Sequence, residues 1–365
     1  MPHDSEAIYE TKFIFVENRL DQRLQQLTAW VKQHFPNEQV NIAPASGDAS
    51  FRRYFRASIG AQTYIVMDAP PDKEDSRPFV RIAGWLHAMG LCAPQVLQGD
   101  EAAGFYLLTD LGTELYLAHL NETTVDDLYR HAIDALLVMQ EKGKAHATQL
   151  PAYDEKLLLT EMQLFIDWYL IRHLGCKLDT RQRQVLADTF SILAQSALAQ
   201  PKVFVHRDYH SRNLMHIEHN KLNAELHNPG ILDFQDAVFG PVTYDLVSLL
   251  RDCYIAWPEA IVQQWLHYHH NALQRSGEFA YVSLEQYAGW FDLMGIQRHL
   301  KATGIFARLN YRDGKPGYLP EIPRTLGYVF AVAAHHPQLA PLLQLLDELA
   351  VSEKIHHPAY SGNTS

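Results

Sequence analysis

The stretch Val203–Ile217, VFVHRDYHSRNLMHI, restricts this chain more than any other. A β-prone apolar run stops at His206 and resumes at Leu214, and the gap holds two histidines, two arginines, an aspartate, a serine and an asparagine. Four residues separate Asp208 from Asn213. That is the catalytic-loop pattern H-R-D-x-x-x-x-N, in which the aspartate accepts the proton of an attacking hydroxyl and the asparagine holds a magnesium ion. Downstream, GILDFQDA places Asp233 directly after an apolar strand, where a second metal-binding carboxylate belongs; Gln235 stands where the D-F-G triplet has glycine. Residues 214–217 and 230–234 are expected to pair as strands, joined by the turn-rich piece His219 to Pro229. Such a pair would hold Asn213 and Asp233 near one ion. One Asp–Asn spacing arises often by chance; both elements in order, each at a strand end, are far more specific.

Composition narrows the setting. With 365 residues, 47% of them hydrophobic, the chain can bury cores for two lobes. A formal charge of −11 disfavours a general nucleic-acid binder, although a local basic cleft can sit on an acidic surface. No run approaches the roughly 18 apolar residues of a membrane helix. The opening MPHDSEAIYE is acidic where a secretory signal is basic and then apolar, so a cytoplasmic protein is expected. Cys92, Cys176 and Cys253 are widely spaced and fit neither a disulfide framework nor a zinc site; they read as buried small hydrophobes.

Periodicity divides the chain. Leu20, Leu24, Leu27, Trp30, Val31 and Phe35 recur at three- and four-residue steps, which predicts an amphipathic helix closed by Pro36-Asn37. Residues 40–68 predict antiparallel strands with a turn at Ile59-Gly60-Ala61. A helix is expected from Phe79 to Met89, then strands around Val96-Leu97 and from Phe105 to Thr109. Beyond Thr124 helical periodicity dominates, over 126–141, 155–173, 181–199, 242–254, 259–275 and 284–306. The predicted organisation is an α+β, two-lobed chain: a helical extension over 1–40, a β-rich N-lobe over 41–111 and a mainly helical C-lobe over 112–365.

These residues resemble the aminoglycoside phosphotransferase and choline kinase branch of the protein-kinase-like fold, from about Asn41 to about Pro341. SGDASFRRYFR resembles the nucleotide-covering loop, YLLTDLG the hinge, and GPVTYDLVSLL the helix after the metal aspartate, with Asp245 its structural carboxylate. Within that branch, SGDASFRRYFR, VMDAPP and FARLNYRDGKPGYLPEIPRTLGYV look most like bacterial anomeric kinases of N-acetylmuramate and N-acetylglucosamine. The resemblance implies ATP and Mg²⁺ as cofactors and transfer of the γ-phosphoryl group to the sugar C1 hydroxyl, in cell-wall recycling. It implies Asp208 as base, Asn213 and Asp233 as metal ligands, and Leu108, Thr109, Asp110 and Leu111 as the adenine hinge. Ser46, Gly47 and Asp48 would bring backbone N–H groups to the phosphates, the alternative being an ordinary polar turn.

One departure stands out. Relatives carry a lysine on the third strand, paired with a helix glutamate, whereas YIVMDAPP has Met67 and Asp68. If the enzyme is active, another cation must then meet the phosphates; the candidates are Arg52 and Arg53, one of which is the expected one, and Arg81, whose other reading is a structural pair with Asp68. His206 and Arg207 read as scaffolding. His210 has two readings, an acceptor-site group or a partner for nearby backbone. The doublets His269-His270, His335-His336 and His356-His357 lack ligand spacing and read as solvated. Segment 295–324 is basic, with Arg298, Lys301, Arg308, Arg312, Lys315 and Arg324. It reads either as a solvated face or as a reader of an anionic acceptor, with Arg308 and Arg312 proposed to fork the lactyl carboxylate of N-acetylmuramate. Rival readings are a kinase of the same fold acting on an aminoglycoside, choline-like or other sugar substrate, and a silent nucleotide-binding module.

Overall fold

The computed structural model describes residues 22–46, 51–217, 228–277 and 279–354, which fall into two compact units. The first takes the described residues up to His87 with Ala93–Gly112; the second takes Ala88–Cys92 and the described residues from Thr113 onward.

The first unit is built on five antiparallel strands. They are β1 (Val40–Ser46), β2 (Arg53–Ile59), β3 (Gln62–Asp68), β4 (Val96–Asp100) and β5 (Phe105–Thr109), in the order β1-β2-β3-β5-β4. Ile59 pairs with Gln62, so Gly60-Ala61 makes a two-residue turn, and Gly60 at φ +59° supplies the left-handed conformation such a turn uses. Alternation along β2 puts Phe55, Ala57 and Ile59 on one face, where they meet Val66, Phe105 and Leu107. Helix α1 (22–34) covers that face with Leu27 and Val31, four residues and about one turn apart. Helix α2 (Arg77–Ala88) buries Phe79, Ile82, Ala83 and Leu86.

The second unit is mostly helical: α3 (Tyr116–His119), α4 (Val125–Lys142), α5 (Glu155–Leu164), α6 (Thr180–Leu198), α7 (Tyr244–Leu250), α8 (Glu259–Arg275), α9 (Leu284–Asp313), α10 (Ile322–Ala333), α11 (Ala340–Glu348) and α12 (Val351–Lys354). Two small sheets interrupt them, β6 (Lys202–Val205) with β9 (Val238–Pro241), and β7 (Leu214–Met215) with β8 (Gly230–Ile231). The organising element is α9. Ser283 caps its start by accepting from the Gln286 amide, and Gly314 at φ +66° ends it. The expected end at 306 was too early because Arg308–Asp313 carry no apolar period; the helix runs on until glycine stops it. At Gly304 the backbone of Leu164-Phe165 lies directly against α9, since a Cβ there would stand 2.4 Å from the Leu164 carbonyl carbon. The predicted helix 155–173 changes character at this crossing, continuing as a π-helical stretch over Phe165–His173.

Two expectations need correction. His269 and His270 are buried, not solvated: the Tyr287 hydroxyl bonds the His269 Nδ1 at 2.9 Å, and the His270 Nε2 lies 2.9 Å from the Val282 carbonyl. Helical spacing on α8 turns both toward the core, where each ring finds one polar partner. His336 meets Asp292 at 3.1 Å, while His356-His357 lie outside the described residues. The expected Arg81–Asp68 pair does not form either; Asp68 is held by Arg23 and Arg53, and Arg81 lies 5.2 Å over the ring of Trp85.

Candidate active site

Strand pairing assembles the centre of the site. Leu214 pairs with Ile231, and the Leu232 amide donates to the Asn213 carbonyl at 2.9 Å, so Asn213 and Asp233 leave the paired strands side by side. The Asn213 side-chain amide donates to the Asp208 carbonyl at 3.0 Å and reaches the Asp233 carboxylate at 3.5 Å. Asp208, Asn213 and Asp233 are thus brought together. Asp233 takes φ +60°, a conformation aspartate tolerates better than most residues, and Gln235 donates to its other oxygen at 2.7 Å. Where D-F-G has glycine, this chain fixes the carboxylate with a side chain.

The loop itself is held by two buried carboxylates. Asp245 on α7 accepts from the amides of His206 at 2.6 Å and Arg207 at 3.0 Å. Asp252 accepts from the Ser211 amide at 3.0 Å and hydroxyl at 2.5 Å. His206 donates from Nε2 to the Leu232 carbonyl at 2.8 Å and accepts the Asp208 amide on Nδ1 at 3.2 Å, the pattern of a neutral ring. Burial lowers its basicity in the same sense. It ties the loop to the strand that delivers Asp233.

Positive charge surrounds Asp208. Arg207, at φ +81°, pairs with buried Glu161 on α5, which also meets Lys301 of α9 at 3.0 Å and hydrogen-bonds the Tyr153 hydroxyl. Lys301 donates to the Tyr244 hydroxyl at 3.0 Å. Arg298, one turn before Lys301, is buried and reaches the Cys253 sulfur at 3.6 Å. Burial alone would raise the carboxyl of Asp208; the cations around it, Lys301 first, with Arg298 and Arg207, override this and hold it at about 2. Asp208 is therefore an anion at any working pH.

The same geometry tests magnesium. The amide nitrogen of Asn213 is shared between the Asp208 carbonyl and the Asp233 carboxylate, so the amide oxygen is the hard donor this residue would offer a cation. Among the described residues no group of three His, Cys, Asp or Glu side chains converges as a metal cage. Two hard oxygens with the remaining positions open suit Mg²⁺ carrying phosphate and water, so the residues fit it.

In the first unit, Ser46 ends β1, and Gly47 and Asp48 lie outside the described residues. Arg52 is buried and meets Glu74 at 3.3 Å, while Arg53, cross-strand from Asp68, pairs with that fully buried carboxylate together with Arg23. Leu108 pairs with Ile65 in the sheet, and the Thr109 hydroxyl accepts from the Gln95 amide at 2.9 Å. Leu111 is buried. Asp110 pairs with Arg56 at 2.7 Å and accepts the Gly112 amide at 2.9 Å; burial raises it, but Arg56 and that amide lower it further.

The family model described as phosphotransferase enzyme family matches residues 41–281. An N-acetylmuramate/N-acetylglucosamine kinase of Pseudomonas aeruginosa is 45% identical over 339 residues, 90% of this chain and 97% of the relative. The chain belongs to the phosphotransferase enzyme family. Solved structures share its fold at low identity. A choline kinase from Streptococcus pneumoniae superposes with a TM-score of 0.57 at 13% identity, covering 85% of this chain and 99% of the other. The GDP complex of an aminoglycoside 2'-phosphotransferase superposes with 0.56 at 16%, covering 85% and 98%. The two-lobed α+β reading holds, with a five-stranded antiparallel sheet and a mostly helical remainder.

Of the acceptor residues expected in this phosphotransferase, His210 is buried against the Tyr254 ring at 5.3 Å, its Nδ1 lacking a hydrogen-bond partner among the described residues. Arg308 is half-buried, and Arg312 is exposed and paired with Asp313 at 2.8 Å. Sequence reasoning missed Glu161 and Asp252, and the part Gln235 plays in holding Asp233. A glutamate in an ordinary helix and an aspartate after an apolar one carry no local mark of burial; only Gln235 stood out, as a departure from D-F-G. Arg298 and Lys301 were noted as basic, and the i, i+3 step that puts them on one face was the overlooked signal.

Proposed function

We propose that this phosphotransferase moves the γ-phosphoryl group of ATP, as its Mg²⁺ complex, to the anomeric hydroxyl of N-acetylmuramate or N-acetylglucosamine, in cytoplasmic peptidoglycan recycling. The observation that carries the reading is the convergence of Asn213 on both Asp208 and Asp233. The acceptor is taken from the relative at 45% identity. Residues 41–111 receive the nucleotide, with 46–53 over the phosphates and 108–111 at the base; residues 112–365 carry the catalytic loop and the sugar. Asn213 and Asp233 hold the metal, which when bound offsets phosphate charge. Asp208 accepts a hydrogen bond from the C1 hydroxyl and aims its oxygen at phosphorus. As the new O–P bond forms, the bond to the β,γ-bridging oxygen breaks, ADP leaves, and the hydroxyl proton passes to Asp208. A carboxylate held at about 2 is a weak base but a firm acceptor. That suits a loose transition state, in which positioning matters more than early deprotonation.

The test is a nucleotide-consumption screen with ATP and GTP over amino sugars and aminoglycosides, with Asp208→Asn as control. The expected product is an acid-labile, non-reducing sugar 1-phosphate, and the control loses about 10²–10⁴-fold in turnover. Phosphate on any other hydroxyl, or a control as active as the parent protein, would overturn the assignment.

A further inference from the structure

One arginine in the catalytic loop has no place in that scheme. Arg212 lies between Asp208 and the metal ligand Asn213, is exposed, and makes no ion pair among the described residues. Its guanidinium is nevertheless fixed, lying 4.6 Å from the Tyr254 ring centre and 5.6 Å from that of Tyr318. Those rings are themselves held. Phe306 stacks on Tyr318 at 5.9 Å and meets Tyr254 at 6.2 Å, and the edge of His210 meets Tyr254 at 5.3 Å. The neighbouring carboxylates have closer partners, although Glu321 also feels Arg212 through space. Glu321 pairs with Arg324, and Asp252 accepts from Ser211 and from the Tyr254 amide.

We propose that Arg212, clamped by Tyr254 and Tyr318, reads a carboxylate on the acceptor sugar. An exposed arginine normally loses rotamer freedom when it binds; aromatic stacking has already restricted this one while leaving its in-plane N–H donors unused. A planar fork of that kind matches a carboxylate in two parallel hydrogen bonds. Its position four residues after Asp208 puts it on the same loop as the group that meets the reacting hydroxyl. The assignment rests on the proposed sugar-kinase function, and it moves carboxylate recognition from Arg308 and Arg312, the latter already paired with Asp313, to the loop itself.

The experiment compares N-acetylmuramate, which carries a lactyl carboxylate, with N-acetylglucosamine, which does not. Arg212→Met is expected to lower kcat/KM for the first about 10- to 100-fold more than for the second, through KM, the size of a lost charge-assisted pair. Arg212→Lys keeps the charge without the fork and recovers only part of the loss. Tyr318→Leu, which removes one face of the clamp, gives a smaller loss of the same sign. Equal losses on both sugars, or a loss confined to kcat, overturn the inference. A parent protein active on N-acetylglucosamine alone overturns the inference but leaves the sugar-kinase reading standing; one inactive on both sugars overturns the two together.

Discussion

Replacing Glu161 by glutamine is expected to be among the most damaging single changes in the second unit. Glu161 is 4% exposed, and its carboxylate faces Arg207 and Lys301 at once, while accepting from Tyr153 and Gln297. The trio carries one negative and two positive charges. Glutamine keeps the shape but strands both cations, and breaking a buried pair from one side costs about 3–5 kcal/mol. Lys301→Met is a different case, because it leaves Glu161 with Arg207 as a neutral pair; a cost of about 1–2 kcal/mol is expected, mainly for the Tyr244 hydroxyl left without its donor. The double variant should be more stable than Glu161→Gln alone, because only Arg207, partly exposed, has then lost its ion-pair partner. Urea denaturation followed by tryptophan fluorescence measures this. With a slope of about 3 kcal/mol/M, Glu161→Gln should shift the midpoint down by about 1–1.7 M. A shift below about 0.3 M, or a double variant no more stable than Glu161→Gln alone, would refute the charge argument.

Other perturbations isolate other parts. Asp68→Asn should lower the melting temperature strongly, since it strands Arg23 and Arg53 around a site of 0% exposure; an unchanged temperature would show that the buried pairs contribute nothing. Arg52→Ala should raise the KM for ATP while Arg53→Ala acts mainly on stability, and the reverse pattern in nucleotide titrations would make Arg53 the phosphate cation. Gly304→Ala should destabilise by more than about 3 kcal/mol, because its Cβ would lie 2.4 Å from backbone that cannot move aside; calorimetry showing less than about 1 kcal/mol would place α9 farther from Leu164. Burial holds His269 and His299 at about 3, against about 6.5 in an unfolded chain. Above pH 6.5 both states are neutral and no slope arises; below it the unfolded chain takes protons the folded one refuses, so stability falls by up to about 1.4 kcal/mol per pH unit for each ring. Burial pushes Asp245 up to about 6, so between about pH 4 and 6 the folded state takes a proton the unfolded chain does not. That offsets one of the two histidines. His299→Gln should remove one such increment from the slope between pH 6.5 and 5, and an identical slope would mean that His299 protonates freely in the fold.

What could be read from the sequence follows from how locally each feature is encoded. The strand Phe105–Thr109 and the helix Glu259–Arg275 were legible to the residue, because alternation and the 3.6-residue period are written in neighbouring side chains. The Asn213–Asp233 approach was legible too, since two apolar runs flanking a turn can pair in few registers. The Glu161–Arg207–Lys301 trio was not: its members are separated by 46 and 94 residues, and nothing near Glu161 distinguishes a buried carboxylate from a solvated one. Buried ion pairs across a helical unit are facts of tertiary packing, and a single chain of letters carries them only as excess charge on a helix face.

The missing strand lysine shows how far local reading reaches. Its absence at Met67-Asp68 was evident from the letters, and the expectation that an active enzyme needs another cation at the phosphates followed from the resemblance to relatives that carry the lysine. What replaced the usual lysine–glutamate pair was beyond that reasoning. The polarity is inverted: the strand supplies the acid, Asp68, and the cations come from β2 and from α1, a helix that precedes the whole sheet. Alternation explains the choice of partner, because Asp68 lies two residues after Val66 and so faces the side of the sheet that α1 covers, where Arg23 sits one turn before Leu27. The same alternation turns Met67 to the other face. Arg53 is thus tied to the buried acid of the strand, whereas Arg52 is held by Glu74 outside it, which is why Arg52→Ala is the variant expected to act on the KM for ATP and Arg53→Ala the one expected to act on stability.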